Sequence, residues 1–118
     1  MELERRGEVL ARAMWWTTKV IIEGVLPWYM YGGFPVMPVR GWTPQDDWSQ
    51  CGMVIGAMQE KKWTLVVTYS PTGPWVKYHK TNDKNQYRWA TSDDPADDLC
   101  AEICEVAARA LESEVTDE

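Results

Sequence analysis

The sequence is poor in the residue types that most often carry catalysis or hold metal ions. Histidine occurs once, as His79, and cysteine occurs three times, as Cys51, Cys100 and Cys104. Because disulfide frameworks normally use an even number of cysteines, we expect buried, reduced thiols. A zinc site needs about four ligands, and a lone histidine on a predicted strand is most often an ordinary surface residue. We therefore predict no catalytic residues, no metal site and no cofactor.

Long apolar runs are also missing. No stretch approaches the ~20 apolar residues that cross a membrane. Residues 1–6 lead into no apolar segment of the kind that marks a secretory signal. We therefore expect a cytoplasmic protein that does not bind membranes.

Positive charge is scarce at one end of the chain. The formal net charge is −6, but residues 1–90 carry +3 and residues 91–118 carry −9. An acidic C-terminal segment argues against a general nucleic-acid binder, because phosphate contacts need clustered Lys and Arg. We interpret the acids as a solvated helix face, with a DNA-mimicking face as the less favoured alternative.

Tryptophan is the residue present in excess, with eight in 118 residues. Each tryptophan can bury on the order of 200 Å², so the chain has either a very aromatic core or an aromatic surface. We expect Trp48, Trp63 and Trp89 to be largely buried, and Trp28 and Trp42 to be the more exposed pair.

Hydrophobic periodicity and turn signals predict three helices and four strands, with no internal repeat. The helices are expected at residues 2–15, from Thr43 onwards, and from Asp93 into a frayed acidic tail at 113–118. The strands are expected at residues 17–22, 63–69, 75–80 and 87–91. Gly52 and Gly56 should let the second helix approach a sheet or another backbone closely.

The element order predicts the fold class. We expect a single α+β domain over residues 1–118, with a central antiparallel sheet of three to four strands. Because three amphipathic helices do not fit easily on one face of such a sheet, we expect helices on both faces, as in an α-β-α sandwich.

Residues 24–42 are the most unusual segment, with four glycines, three prolines and five aromatic residues. We predict a long ordered loop, because glycine and proline break regular elements and the aromatics argue against disorder. The loop either covers the core or binds a ligand or partner. The candidate binding residues, which can stack on a base or form a protein hot spot, are Trp28, Tyr29, Tyr31, Arg40 and Trp42.

The order of landmarks resembles the phage ABA sandwich domain family, small proteins encoded by bacteriophages and prophages. The matching motifs are Ala13-Met14-Trp15-Trp16, Trp42-x-Pro44-x-x-Asp47-Trp48 and Asp94-Pro95 leading to Ile103-Cys104. Trp15 stands where members tend to have glycine. The resemblance implies a helix–sheet–helix sandwich and supplies no catalytic residue.

Three functions follow as hypotheses. The first is a phage or prophage accessory protein, in the cytoplasm of a bacterial host, that binds a host or phage protein or forms a homodimer. The second is a small-molecule binder, for example of a nucleotide, with a concave pocket in which loop aromatics face Arg40. The third is an enzyme, which would need His79 in a cleft beside a polar partner.

Overall fold

The computed structural model describes residues 3–19, 27–81, 84–92 and 98–116. Its elements are α1 (Leu3–Ala13), β1 (Thr17–Lys19), β2 (Trp28–Tyr31), β3 (Phe34–Pro38), α2 (Trp48–Glu60), β4 (Thr64–Ser70), β5 (Gly73–Thr81), β6 (Tyr87–Ala90) and α3 (Leu99–Thr116). No helix within these ranges is both long and apolar enough to cross a membrane. Residues 20–22 of the first predicted strand, the first residues of the predicted loop and the expected helix start at Asp93 lie outside the described residues.

The strands form two antiparallel three-stranded sheets, with the orders β1-β2-β3 and β4-β5-β6. Each sheet follows a helix, so the described chain contains the order helix–strand–strand–strand twice, and α3 comes after both units. The predicted α+β class, with antiparallel strands and packed helices, is confirmed. The arrangement differs from a single central sheet because residues 28–38 add a hairpin.

That hairpin replaces the predicted loop. Residues Trp28–Tyr31 pair with Phe34–Pro38 through a two-residue connection, Gly32-Gly33. Both glycines have positive φ, 59° and 87°. Two consecutive residues with positive φ form the type I′ turn that suits the twist of a hairpin, so the adjacent glycines connect strands instead of breaking them.

The helices contact one face of the β4–β6 sheet. Val76, Tyr78 and Ala90 point to this face and are buried, and α3 packs against β5 and β6 while α2 contacts β4. Residues on the opposite face, including Trp75 and Trp89, are exposed. Helix α1 packs against α3.

Helix α2 begins later than predicted. Asp47 caps α2, since its side chain accepts hydrogen bonds from the backbone N–H of Ser49 (2.8 Å) and Gln50 (3.2 Å). The expected start at Thr43 is a turn, closed by a hydrogen bond from Asp46 N to Thr43 O of 3.0 Å.

Helix α3 begins at Leu99, and the Asp98 side chain accepts a hydrogen bond of 3.3 Å from the backbone N–H of Ala101. The helix continues to Thr116, so residues 113–116 of the predicted frayed tail are helical. Glu114 ties the last turn to the rest of the molecule, because it accepts hydrogen bonds from the side chains of Trp63 and Lys80.

Helices α1 and α2 end in the same way. Trp16 N–H bonds to the carbonyl of Ala11 at the end of α1, and Trp63 N–H bonds to the carbonyl of Met58 at the end of α2. A second hydrogen bond at each end spans fewer residues: Trp15 N–H donates to the carbonyl of Arg12, and Lys62 N–H to that of Gln59. Together the two bonds make each end a Schellman motif. In each motif the third residue past the helix is a buried tryptophan, 7% exposed at Trp16 and 3% at Trp63.

The predicted burial of the tryptophans is partly wrong. Trp63 is buried as expected, but Trp48 and Trp89 are 58% and 60% exposed. Trp48 is the first residue of α2, and the buried side of that helix is formed by Cys51, Val54 and Met58.

Trp42 was expected to be exposed and is only 5% exposed, while Trp28 is half-buried. The Trp42 indole N–H donates to the carbonyl of Gly7 at 3.1 Å. The Trp42 ring also packs edge-on against Trp16, with centroids 4.9 Å apart. A tryptophan satisfied in this way belongs to the core.

Candidate functional site

The five predicted binding residues lie in the β2–β3 hairpin and the turn that follows it, but they do not form one surface. Tyr31 and Arg40 are exposed, Trp28 is half-buried, and Tyr29 and Trp42 are core residues. The Tyr29 ring lies 5.6 Å from that of Trp16. Burial, with a smaller contribution from the charge of Glu8, raises the pKa of the Tyr29 hydroxyl.

Three of the five residues line a small cavity of about 370 Å³. Its walls are Gly7, Glu8, Tyr29, Val39, Arg40, Trp42 and Gln45. The indole N–H of Trp42 is already bonded to the carbonyl of Gly7. The charged lining residues are Arg40 and Glu8. The cavity therefore combines an aromatic wall with one positive and one negative side chain.

A second concavity, of about 400 Å³, lies between the end of α1, the tip of β2 and the side of α2. We refer to it as the aromatic groove. Its exposed apolar rim consists of Trp15, Tyr31 and Met53. Its other lining residues are Ala13, Met14, Trp16, Gly56, Ala57 and Glu60. Small residues on the α2 side leave the groove open, and Glu60 gives it one negative charge.

Trp15 holds an unfavourable backbone conformation at this rim. Its φ is 64°, in the left-handed region, at the position of the Schellman motif that is usually glycine. A side chain there costs roughly 1 kcal/mol because its Cβ crowds the following carbonyl. The Trp15 side chain is nevertheless 73% exposed, with the Lys61 ammonium 5.0 Å from its ring centroid. Burial in the core therefore does not explain why tryptophan stands here.

The glycines of α2 do not serve the role that their spacing predicted. A Cβ atom added at Gly52 or at Gly56 would meet no atom of the described residues within 4 Å. The prediction that they bring α2 close to a sheet or another backbone of this chain is therefore wrong. They leave a shallow, open strip on α2 beside Met53, which is 40% exposed.

The tip of the hairpin extends this apolar surface. Phe34, directly opposite Tyr31 across the turn, is 76% exposed. The outer strand β3 also contains Pro35 and Pro38, which have no N–H to donate. Prolines on an edge strand hinder pairing with a further strand. A partner at this surface would therefore be held mainly by side-chain contacts.

The three cysteines and the histidine lie in different surroundings. Cys51, Cys100 and Cys104 are buried and unpaired, in agreement with the prediction. Burial raises the pKa of the Cys100 thiol to about 12, which disfavours the reactive thiolate. His79 lies on the exposed face of the β4–β6 sheet, with its ring 5.7 Å from that of Tyr87. Among the described residues, no group of three or more metal-ligating side chains converges.

Sequence reasoning missed the main members of the aromatic groove. Only Tyr31 was predicted, whereas Trp15 and Met53 were assigned to helices and Phe34, beside the groove, to a loop. One signal was available, because Trp15 ends the first predicted helix and stands where the resembling family tends to have glycine, the residue that most often follows a helix end.

Comparison with protein-family models, with curated proteins and with solved structures finds no match to this chain.

Proposed function

We propose that this protein is a non-catalytic interaction module that binds a protein partner through the aromatic groove. The observation that carries the proposal is Trp15, an exposed tryptophan in a backbone conformation that favours glycine. Strain of this kind persists where the surrounding structure imposes it and often accompanies function. Large exposed aromatic residues around a concavity are also the residue types that dominate protein–protein hot spots.

The shape of the groove favours a helical partner. The α2 side is formed by small residues, Gly56 and Ala57, and Trp15 and Tyr31 stand at the rim. A groove of this kind accepts the apolar ridge of an amphipathic helix. Glu60 at the edge would pair with a basic residue of that helix. A second copy of this chain is the alternative occupant, and it would make the protein a homodimer.

The biological setting remains part of the proposal. The resemblance to the phage ABA sandwich domain family supports a phage or prophage accessory protein that acts on a host or phage protein in the bacterial cytoplasm. That setting makes host bacterial lysate, before and after phage infection, the appropriate source of partners.

The experiment is affinity capture from these lysates with three tagged variants of the protein. We expect Trp15→Gly and Tyr31→Ser to lose at least one protein that the unmodified chain retains. Tyr69→Ser is the matched control, because Tyr69 is 75% exposed but lies at the end of β4, away from the groove. The control variant should retain the same protein.

Sedimentation of the unmodified chain and the purified variants shows whether a second copy of this chain occupies the groove. If the unmodified chain is a dimer and Tyr31→Ser is a monomer, the second copy occupies the groove. If neither self-association nor any captured protein depends on Trp15 or Tyr31, the proposal is wrong.

A second candidate function rests on the cavity beside Arg40. Its aromatic wall and guanidinium suit a small anionic molecule with a planar ring, such as a nucleotide. Mass spectrometry of small molecules released by heat from protein incubated in lysate tests this candidate. A near-stoichiometric compound that Arg40→Ala no longer retains would favour a small-molecule binder over an interaction module.

A further inference from the structure

The exposed face of the β4–β6 sheet is a second aromatic surface, separate from the groove. We call it the free sheet face. Side chains alternate along each strand, so the residues opposite the buried Val76 and Tyr78 point outwards. The aromatic members of the free sheet face are Trp75 and His79 on β5 and Tyr87 and Trp89 on β6. Trp75, Tyr87 and Trp89 are 40%, 54% and 60% exposed.

These rings surround a lysine at the middle of the sheet. Trp89 lies directly opposite His79 across the β5–β6 pair. The Lys77 ammonium lies 5.4 Å from the centroid of Tyr87 and 5.8 Å from that of Trp89. The sheet therefore presents ring faces and a positive charge together, in an arrangement that core packing does not require.

Lys77 is the basic residue that points outwards on β5. Lys80 and Arg88, which are paired across β5 and β6, point to the face covered by α3, where Lys80 bonds to Glu114 and Arg88 to the carbonyl of Ser113. The outward-pointing residues of β4 and β5 include no carboxylate; on β4 they are Thr64, Val66 and Thr68.

The acidic residues of α3 do not oppose Lys77, because those that the structure describes bond to partners on the other side of the sheet. Glu105 bonds to Arg6 and Arg109, and Glu112 to Arg5. Glu102 is buried with Ser92, and Glu114 bonds to Trp63 and Lys80. The net negative charge of the protein is therefore a poor guide to the free sheet face.

We infer that the free sheet face binds single-stranded nucleic acid by stacking its bases on Trp75, Tyr87 and Trp89. Antiparallel sheets that carry exposed aromatic residues can stack two or three unpaired bases, and a lysine beside the rings, here Lys77, can contact a phosphate. Stacking is tolerant of base identity, so we expect modest sequence preference. A duplex, whose bases are already stacked on each other, should bind more weakly than a single strand.

The test is fluorescence anisotropy with a labelled single-stranded oligonucleotide of about 12 nucleotides, as DNA and as RNA. We expect Trp89→Ala to weaken binding about tenfold. Trp48→Ala is the matched control, because Trp48 is 58% exposed against 60% for Trp89 but lies on α2. The control should bind as tightly as the unmodified protein.

Salt dependence separates the phosphate contact from the stacking. Lys77→Gln should lower the slope of log affinity against log salt by roughly 0.7, the value for one phosphate contact on a single strand. Trp89→Ala should weaken binding and leave the slope unchanged.

Several results would overturn the inference. These are undetectable binding of either oligonucleotide, equal affinity for the corresponding duplex, or equal losses for Trp48→Ala and Trp89→Ala. Loss of a captured protein in Trp89→Ala, without oligonucleotide binding by the unmodified chain, would instead assign this face to a protein partner. Groove variants such as Tyr31→Ser should leave oligonucleotide binding intact, so this inference and the proposed function fail independently.

Discussion

At the scale of single residues, two side chains occupy backbone positions that favour glycine. Trp15 and Lys62 follow α1 and α2 in equivalent places, with φ values of 64° and 71°. Each precedes a buried tryptophan that completes the helix end. Stability alone would favour glycine at both positions.

We predict that Trp15→Gly is more stable than Trp15→Ala by about 1 kcal/mol, because alanine keeps the left-handed strain and glycine removes it. The free energy of unfolding, measured by urea denaturation, tests the difference. The pair Lys62→Gly and Lys62→Ala should show a gap of similar size. A Trp15→Ala variant as stable as Trp15→Gly would show that the helix end is not strained.

The exposure of each tryptophan could not be predicted from residue type. Trp42 and Trp48 are six positions apart, and the first is 5% exposed while the second is 58% exposed. Trp42 is buried because Gly7 on α1 supplies a hydrogen-bond acceptor for its indole. Such a contact between distant segments leaves no periodic signal in the sequence.

At the scale of elements, the start of α2 was predicted about one turn too early, at Thr43, whereas the helix begins at Trp48 after its cap Asp47. Thr43, Pro44 and Asp46 have the chemistry of a helix start, but they form a separate turn. Gln50 holds that turn against the helix, since its side chain accepts from Thr43 N at 2.6 Å and donates to Gly41 O at 2.7 Å.

We predict that Asp47→Ala destabilises the protein by about 1 kcal/mol, because it removes the cap of α2. Asp46→Ala should change stability far less, because Asp46 lies in the preceding turn and the cap of α2 is Asp47. Thermal denaturation of the two variants checks the assignment. The reverse order would place the start of α2 at Thr43.

The strands of the second sheet were predicted to within one or two residues at most ends. The turn between Ser70 and Gly73 and the polar connection after Thr81 mark them clearly. The first sheet was only partly predicted, because Gly32-Gly33 was interpreted as a break and not as a hairpin turn. The same misinterpretation separated Tyr31 from Trp15 and hid the aromatic groove.

At the scale of the whole molecule, α3 is joined to α1 by two ion pairs of different burial. Glu105 accepts from Arg6 at 3.2 Å, with both side chains largely buried. Glu112 accepts from Arg5 at 3.1 Å, and Arg5 is 65% exposed. Burial alone would raise the pKa of Glu105, but the hydrogen bonds from Arg109 and Arg6 lower it below its ordinary value of 4.5.

We predict that Glu105→Gln costs about 2 kcal/mol at neutral pH, because it weakens charge-assisted hydrogen bonds and leaves Arg6 without its counter-ion. Because the pKa of Glu105 is lowered in the folded state, its carboxylate stabilises the protein at pH values above the ordinary pKa of 4.5. This stabilisation is lost as the pH falls through the folded-state pKa. The difference between the unmodified chain and the variant should therefore shrink below that pH. Urea denaturation across pH 3 to 7 measures it.

Glu112→Gln is the control for this prediction. Exposed ion pairs contribute about 0–1 kcal/mol, so its effect should be small and should disappear in high salt. Equal costs for the two variants would mean that burial does not distinguish the two pairs.

The position of α3 in the chain has a consequence for synthesis. It supplies buried surface to both helix–strand units through residues such as Ile103, Val106 and Ala110, yet it leaves the ribosome after both. Each unit emerges with an apolar side that only a later segment will cover. The nascent chain therefore exposes apolar surface until α3 emerges, and a ribosome stalled before residue 99 should carry a protease-sensitive chain.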